Sequence, residues 1–307
     1  DSDGSFSAEF VYAGDMFGNL WKFDISDESA SNWSIEFDGN PLYTAIAPSG
    51  KAQPITSKPA IIVHPDGGYV VLFGTGRFFV SGDDLVRNPA EVHTFYGIRD
   101  TGAVVASVGA RDLPGGAAQP TTVLQPQEII EEDVDTFDTL HQFTRTLTQN
   151  NVDYSTQKGW YLDFVSPVNG AEGEMIIADP IVEITEDNKP LVIFNTFVPA
   201  GGCEDAGGFS ALMAFDPLTG GKTDFAVFDF DGDGNFGIGD AQSDGSGGYD
   251  HDNGLIGQAT VAPVTVISSS DGTVNHAISA GLDGSTEVSD VNAAAQSLGR
   301  QSWRQIK

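Results

Sequence analysis

The chain is short of cysteine, of cations and of long apolar runs, and each shortage excludes something. One cysteine in 307 residues, Cys203, rules out an internal disulfide framework. It leaves the compartment open, because a large exported β-protein needs staples no more than a cytosolic one does. Fourteen Lys and Arg stand against 44 Asp and Glu, a formal charge of −30 and a pI of about 4.1. A field of that sign repels phosphate backbones and anionic lipid, which argues against nucleic acid and bare membrane surfaces as partners and draws in divalent cations. It also keeps a protein dispersed in salty water, as suits a marine or halophilic source. No apolar stretch reaches the ~20 residues of a spanning helix, so no transmembrane segment is expected. The nearest, VVLFGTGRFFV at 70–80, is interrupted by Gly74, Gly76 and Arg77. The first ten residues, DSDGSFSAEF, hold neither the basic nor the apolar part of a signal peptide, so the expectation is a mature start or a piece of a longer chain.

Helical periodicity is scarce as well. What recurs is a run of four to eight residues rich in Val, Ile, Phe, Tyr and Thr, closed by Gly, Asp, Asn or Pro: EFVYAGD, GNLWKFDI, KPAIIVH, GYVVLFGTG, HTFYGIRD, KGWYLDF, PIVEIT, KPLVIFNTFV, SALMAFD, FAVFDF, IGQATVAPVTVI and NHAISAGLDG. These read as strands joined by turns. HPDGGYVV is a hairpin whose Asp66-Gly67-Gly68 turn supplies the positive φ angles a tight connection needs, and TEDNKPLV reads the same way. Two segments break the rhythm. Residues 112–127 are rich in Pro, Gly and Gln and read as a surface excursion. Residues 128–150 place Ile129, Ile130, Val134, Phe137, Leu140 and Phe143 on roughly one face, which predicts a short helix, so 112–150 reads as an insertion on a β-scaffold. No linker marks a second domain.

VYAGDMFGNLWKFD (11–24), FSALMAFDPLTGG (209–221) and NHAISAGLDGSTEV (275–288) share a loose strand–turn–strand pattern, as β-propeller blades do. The pattern alone leaves a β-sandwich open. The first two of these stretches, with GYVVLFGTGRFF and KGWYLDF between them, VIFNTFVPAGGCEDAGG leading into the second, and the terminal GRQSWRQIK, resemble in that order the C-terminal propeller of the PilY family, large proteins associated with type IV pilus tips. The resemblance implies an all-β, modified β-propeller larger than this chain, with the missing part upstream, since Gly299 to Arg304 look like that family's chain end. It implies no catalytic role. It implies an extracellular place at the pilus tip or cell surface, reached through the periplasm. The implied roles are pilus assembly, adhesion and calcium-tuned control of the pilus, with minor pilins or the pilus tip complex, and a host or abiotic surface, as partners.

Residues 229–240, DFDGDGNFGIGD, carry the sharpest motif. With Asp229 as position 1, Asp231 and Asp233 fall at 3 and 5, Gly234 at 6, Phe236 at 8 and Asp240 at 12, the spacing of an EF-hand loop. Calcium takes six to eight oxygens at about 2.3–2.6 Å, and alternating carboxylates on a curled backbone converge on one centre. Asn235 is expected to offer its carbonyl, Gly237 to leave room for water, and Phe236 to anchor the loop. Asp at position 12 in place of Glu shortens the reach by one methylene. The alternative is a solvated acidic turn. A second candidate is DSDGSFSAE, where the resemblance puts a DxDxDxxxD loop before the VYAGD block: Asp1, Asp3, Ser5 and Glu9 stand at ligand positions and Ser7 offers a carbonyl, but Ser5 and Glu9 depart from the pattern and the loop starts at residue 1, where fraying costs order.

The five histidines (His64, His93, His141, His251, His276) lie far apart and nominate no catalytic set. Asp250, His251 and Asp252 lack the further His or Cys of a transition-metal site. GTGRFF at 74–79 lacks the third glycine of a dinucleotide loop. A quinoprotein-like enzyme would bring a vicinal disulfide that one cysteine cannot form. An architectural propeller stapled by calcium, in a fibre or surface layer, is the alternative to the pilus reading. Trp21, Trp33, Trp160 and Trp303 are expected between blades.

Overall fold

The computed structural model describes the chain except residues 1–7, 84, 87–88, 106–122, 138–139, 186, 200–207, 244–248, 259–261, 269–273, 282–283 and 294–307. In chain order the strands are β1 (Phe10–Gly14), β2 (Asn19–Asp24), β3 (Ser34–Ile35), β4 (Tyr43–Thr44), β5 (Ala60–Val63), β6 (Tyr69–Gly74), β7 (Thr94–Asp100) and β8 (Gln125–Gln127). Then follow β9 (Ile129–Phe137), β10 (Leu140–Leu147), β11 (Gly159–Asp163), β12 (Ile181–Ile184), β13 (Pro190–Asn195) and β14 (Phe209–Phe215). The last are β15 (Gln242–Ser243), β16 (Tyr249–Asp250), β17 (Gly254–Gln258), β18 (Thr265–Ser268), β19 (Asn275–Ala280) and β20 (Thr286–Val291).

Four sheets stack in succession. β1 to β4 form the first; β5-β6-β7-β11-β8 the second; β12-β13-β14-β17-β10-β9 the third; β18-β19-β20 the fourth. Side-chain alternation sorts each apolar run between two cores. On β6, Val70 and Leu72 enter the core shared with the third sheet, while Val71 and Phe73 enter the one shared with the first. On β13, Val192 and Phe194 face back to the second sheet and Leu191 and Ile193 face the fourth. Strands buried on both faces read as continuous apolar runs, which is why YVVLFG and PLVIFN show no alternation. Between the second and third sheets the rings of Phe95 and Phe194 stack at 4.1 Å, and the fully buried Trp160 donates its indole N–H to the Pro217 carbonyl at 3.0 Å. Trp33, in contrast, is half exposed.

The β5–β6 hairpin closes as its sequence predicts. Gly67 and Gly68 take φ of +87° and +78°, and a Cβ on Gly68 would lie 2.3 Å from the Asp100 carbonyl oxygen. Asn188 supplies the positive φ of the β12–β13 turn.

Residues 128–150 are not a helix. β9 and β10 form an antiparallel hairpin, and β10 pairs with β17 more than a hundred residues downstream. Two of the residues assigned to a helical face, Ile130 and Phe143, are 48% and 56% exposed, whereas Thr144, Arg145 and Thr146 are buried. The β-branched TRTLT run and a distant partner strand override the local period. β8 also belongs to a main sheet, pairing parallel with β11, so 125–147 are parts of the scaffold; residues 112–122 lie outside the described set. FAVFDF at 225–230 forms no strand. Its Ala226, Val227, Phe228 and Phe230 are buried against the third and fourth sheets, tied by a single Phe228–Val291 bridge. The run IGQATVAPVTVI divides into β17 and β18, with Pro263 between them.

Candidate metal centre

The acidic loop begins where that buried segment ends. Phe228 and Phe230 anchor it in the core between the third and fourth sheets, at 1% and 3% exposure, and Asp229 between them is held by its N–H to the Asp290 carbonyl at 3.3 Å. Phe230 therefore does the anchoring expected of Phe236, which is only half-buried. From there the backbone curls through Gly232 and Gly234, at φ of +72° and +78°.

Each carboxylate accepts amide protons from the loop itself. Asp229 takes the N–H of Gly232 at 2.7 Å on one oxygen and of Gly234 at 2.8 Å on the other. Asp231 takes that of Asp233 at 3.1 Å, and Asp233 that of Asn235 at 2.7 Å. These bonds point three side chains inward, and one carboxylate oxygen from each of Asp229, Asp231 and Asp233 lies within 4.8 Å of the others.

Asp240 is placed differently. It is 2% exposed, closes a short 3-10 turn (Ile238–Asp240), and accepts the N–H of Phe230 at 2.7 Å and Asp231 at 3.3 Å on one oxygen and of Gly237 at 2.9 Å on the other. The twelfth position thus staples the two ends of the loop, outside the cluster of three. Asn235 directs its amide N–H to Asp233. Gly239 has a role that EF-hand spacing does not announce: a Cβ there would lie 2.0 Å from Asp231 Oδ2.

Burial, and then the carboxylates of Asp240 and Asp231, push the Asp229 carboxyl above its ordinary range against the pull of the Gly234 and Gly232 amides. Among the described residues no Lys, Arg or His pairs with the three carboxylates. Like charges about 4 Å apart repel by about 1 kcal/mol per pair even in water. Three convergent hard oxygens without a counter-charge fit a hard divalent cation, with loop carbonyls and water completing the shell.

Of the N-terminal candidate, Asp1, Asp3, Ser5 and Ser7 lie outside the described residues; Glu9 is exposed, and its carbonyl accepts the N–H of Ile25 at 2.9 Å. Asp250 and Asp252 are spent elsewhere, on Lys222 and on the Thr146 hydroxyl. Cys203 and Trp303 are outside the described set.

Comparison with known proteins bears on the scaffold. Residues 1–144 match the PilY1 beta-propeller domain model. The whole chain is 33% identical to the type IV pilus biogenesis factor PilY1 of Pseudomonas aeruginosa (strain PAO1) and spans 26% of it. A homolog from Xylella fastidiosa (strain Temecula1) is 33% identical over 72% of this chain, which spans 14% of that protein. The chain therefore covers about a quarter or less of these relatives. The crystal structure of the Pseudomonas aeruginosa PilY1 C-terminal domain superposes with a TM-score of 0.76 at 28% identity, covering 95% of this chain and 59% of that one. Stacked blade-like sheets, shared sequence along the full length and a common fold have one reading: the chain belongs to the PilY1 family of β-propeller domains.

Proposed function

We propose that this chain is the propeller portion of a type IV pilus biogenesis factor that acts at the pilus tip or cell surface, in assembly and adhesion, under the control of calcium at residues 229–240. The relatives' names support the pilus part. One observation carries the calcium part: three uncompensated carboxylates, from Asp229, Asp231 and Asp233, turned to a common centre by their own loop amides. Calcium removes their mutual repulsion and fixes a loop that lies on the connection from β14 to β17 and is bonded to β20 of the fourth sheet. Extracellular calcium sites have dissociation constants of about 0.1–1 mM, so external calcium fills such a loop and cytosolic calcium does not. The role is non-enzymatic, and minor pilins or a tip complex are the partners this reading requires.

Melting temperature with and without chelator, for wild type and Asp231→Ala, tests the site; an equal calcium increment in both removes this loop as the binder. Counting surface pili on cells whose full-length protein carries Asp231→Ala tests the role, and normal, calcium-independent piliation overturns it. A purely architectural reading has one observation in its favour: the loop's first residue is bonded to β20, so calcium there would also staple the last sheet. It predicts that Asp231→Ala loses stability and keeps its pili.

A further inference from the structure

The fourth sheet does not close fully on the third. Ser279 and Glu287 are directly paired across β19 and β20, as are Ala277 and Ser289, and all four line one cavity of about 420 Å³ whose opposite wall comes from β13, β14 and β17. Small residues on both walls, Ser210 and Gly257 among them, leave the space open; a Cβ on Gly257 would touch Glu287 Oε2 at 3.9 Å.

Among the described residues, three acceptors in this cavity accept no hydrogen bond. Ser279 is 9% exposed, and its hydroxyl makes no hydrogen bond among the described residues. Asn195 is 3% exposed; its Nδ2 reaches the Ala262 carbonyl at 3.4 Å while its Oδ1 accepts no proton. Glu287 is half-buried and has neither a hydrogen bond nor an ion pair. No Lys, Arg or His is among the described residues of the lining, which also carries the carboxylates of Asp229 and of Asp290, the latter paired with His276, and whose apolar part includes Leu212, Leu255 and Val264. A half-buried carboxylate without a counter-charge is costly, and water can satisfy its hydrogen bonds but not its charge. The group that answers all three acceptors at once is an ammonium, with three N–H donors, a positive charge and no acceptor of its own.

We propose that this cavity binds a primary alkylammonium group: the ammonium meets Glu287, Ser279 and Asn195, and the aliphatic stem lies on Leu212 and Leu255. A lysine side chain offered by a protein partner and a free alkyl diamine share this chemistry. The volume falls within the ~300–1,000 Å³ of small-ligand pockets.

The test is amide chemical-shift titration of the whole chain, at constant calcium, with Nα-acetyl-lysine methylamide, Nα-acetyl-norleucine methylamide and cadaverine. The lysine amide is expected to shift β19 and β20 resonances with millimolar affinity, and the norleucine amide, equal in stem but lacking the ammonium, is expected to leave them unmoved. Glu287→Gln should weaken binding about tenfold, the worth of one charge-assisted hydrogen bond. Ser279→Ala reads the same wall independently where Glu287→Gln alters melting temperature. Tighter binding of the lysine amide supports a partner's side chain, and tighter binding of cadaverine supports a free diamine. Equal binding by the norleucine amide, undiminished binding to both variants, or no shift with any amine overturns the proposal.

Discussion

Gly239→Ala moves one proposed calcium ligand without changing any charge. The added methyl would sit 2.0 Å from Asp231 Oδ2 and 3.0 Å from Asp231 Cγ, so the carboxylate must rotate away. Without calcium this is cheap. The rotation loses the bond from the Asp233 N–H, about 0.5–1.5 kcal/mol. Gly239 is exposed and has no positive φ, so alanine also narrows the unfolded ensemble, worth about 0.4–1 kcal/mol in the other direction. The two nearly cancel, and the calcium-free proteins are expected to melt together.

With calcium they separate. At about 10 mM calcium, a 0.1 mM site stabilises the fold by about 2.7 kcal/mol; a tenfold weaker one contributes about 1.4 kcal/mol. Unfolding entropy of about 2.1 cal/mol/K per residue makes 1 kcal/mol worth about 1.5 °C in a chain of 307 residues. Calcium should therefore raise the melting temperature by about 4 °C in wild type and about 2 °C in Gly239→Ala. Differential scanning calorimetry of both proteins, in calcium and in chelator, resolves this. Equal increments would mean that Asp231 is not a ligand, and no increment in wild type would end the calcium reading altogether.

Three further outcomes follow from the same geometry. Gly97→Ala places a Cβ 2.3 Å from the buried Trp160 indole, and overpacking there should cost about 1–3 kcal/mol in urea unfolding, against little or nothing if the blades are loosely packed. Arg145, 1% exposed, is bidentate to Glu174 at 2.6 and 2.9 Å and bonded to Glu132 at 2.6 Å; Arg145→Met should cost about 3–5 kcal/mol, and adding Glu132→Gln and Glu174→Gln should return much of it. A raised carboxyl keeps its proton longer in the folded chain than in the unfolded one, so calcium-free wild type should lose stability relative to Asp229→Asn as pH rises through the carboxylate range; a flat or rising difference in unfolding free energy contradicts the burial and repulsion assigned to Asp229.

The strands were legible wherever local chemistry and tertiary place agreed. YVVLFG and TFYGIRD are buried on both faces and bounded by turn residues, so composition alone marks them. Residues 129–147 were not legible, because what decides them is β17, a partner strand absent from any local window, and a buried arginine held by Glu132 and by Glu174 from a distant loop. FAVFDF misled for the opposite reason: burial without a ladder partner looks the same in sequence as burial within one. Spacing placed Asp229, Asp231 and Asp233 where one carboxylate oxygen from each lies within 4.8 Å of the others. It gave no sign that Asp240 turns to three amides instead, because a motif position names a carboxylate and not what that carboxylate faces. The alkylammonium cavity was beyond reach, since Asn195, Ser279 and Glu287 meet only when two sheets face one another.

The scarcity of cations has a local consequence that net charge understates. Several of the few basic side chains are spent inside the fold: Lys22 pairs with Asp100 at 2.8 Å, with side chains 6% and 1% exposed, and Arg145 serves two glutamates. Others, such as Lys189 with Asp224 and Lys51 with Glu91, are already paired at the surface. Charges committed in this way cannot compensate a carboxylate cluster elsewhere. Among the described residues no basic side chain is placed beside the loop at 229–233, and its carboxylates have no counter-charge there. The same holds for Glu287. The two places adjoin at Asp229 and differ in the geometry they offer: a curled loop of convergent carboxylates suits a compact divalent ion, and Glu287 with two neutral acceptors beside an apolar wall suits an ammonium on a stem.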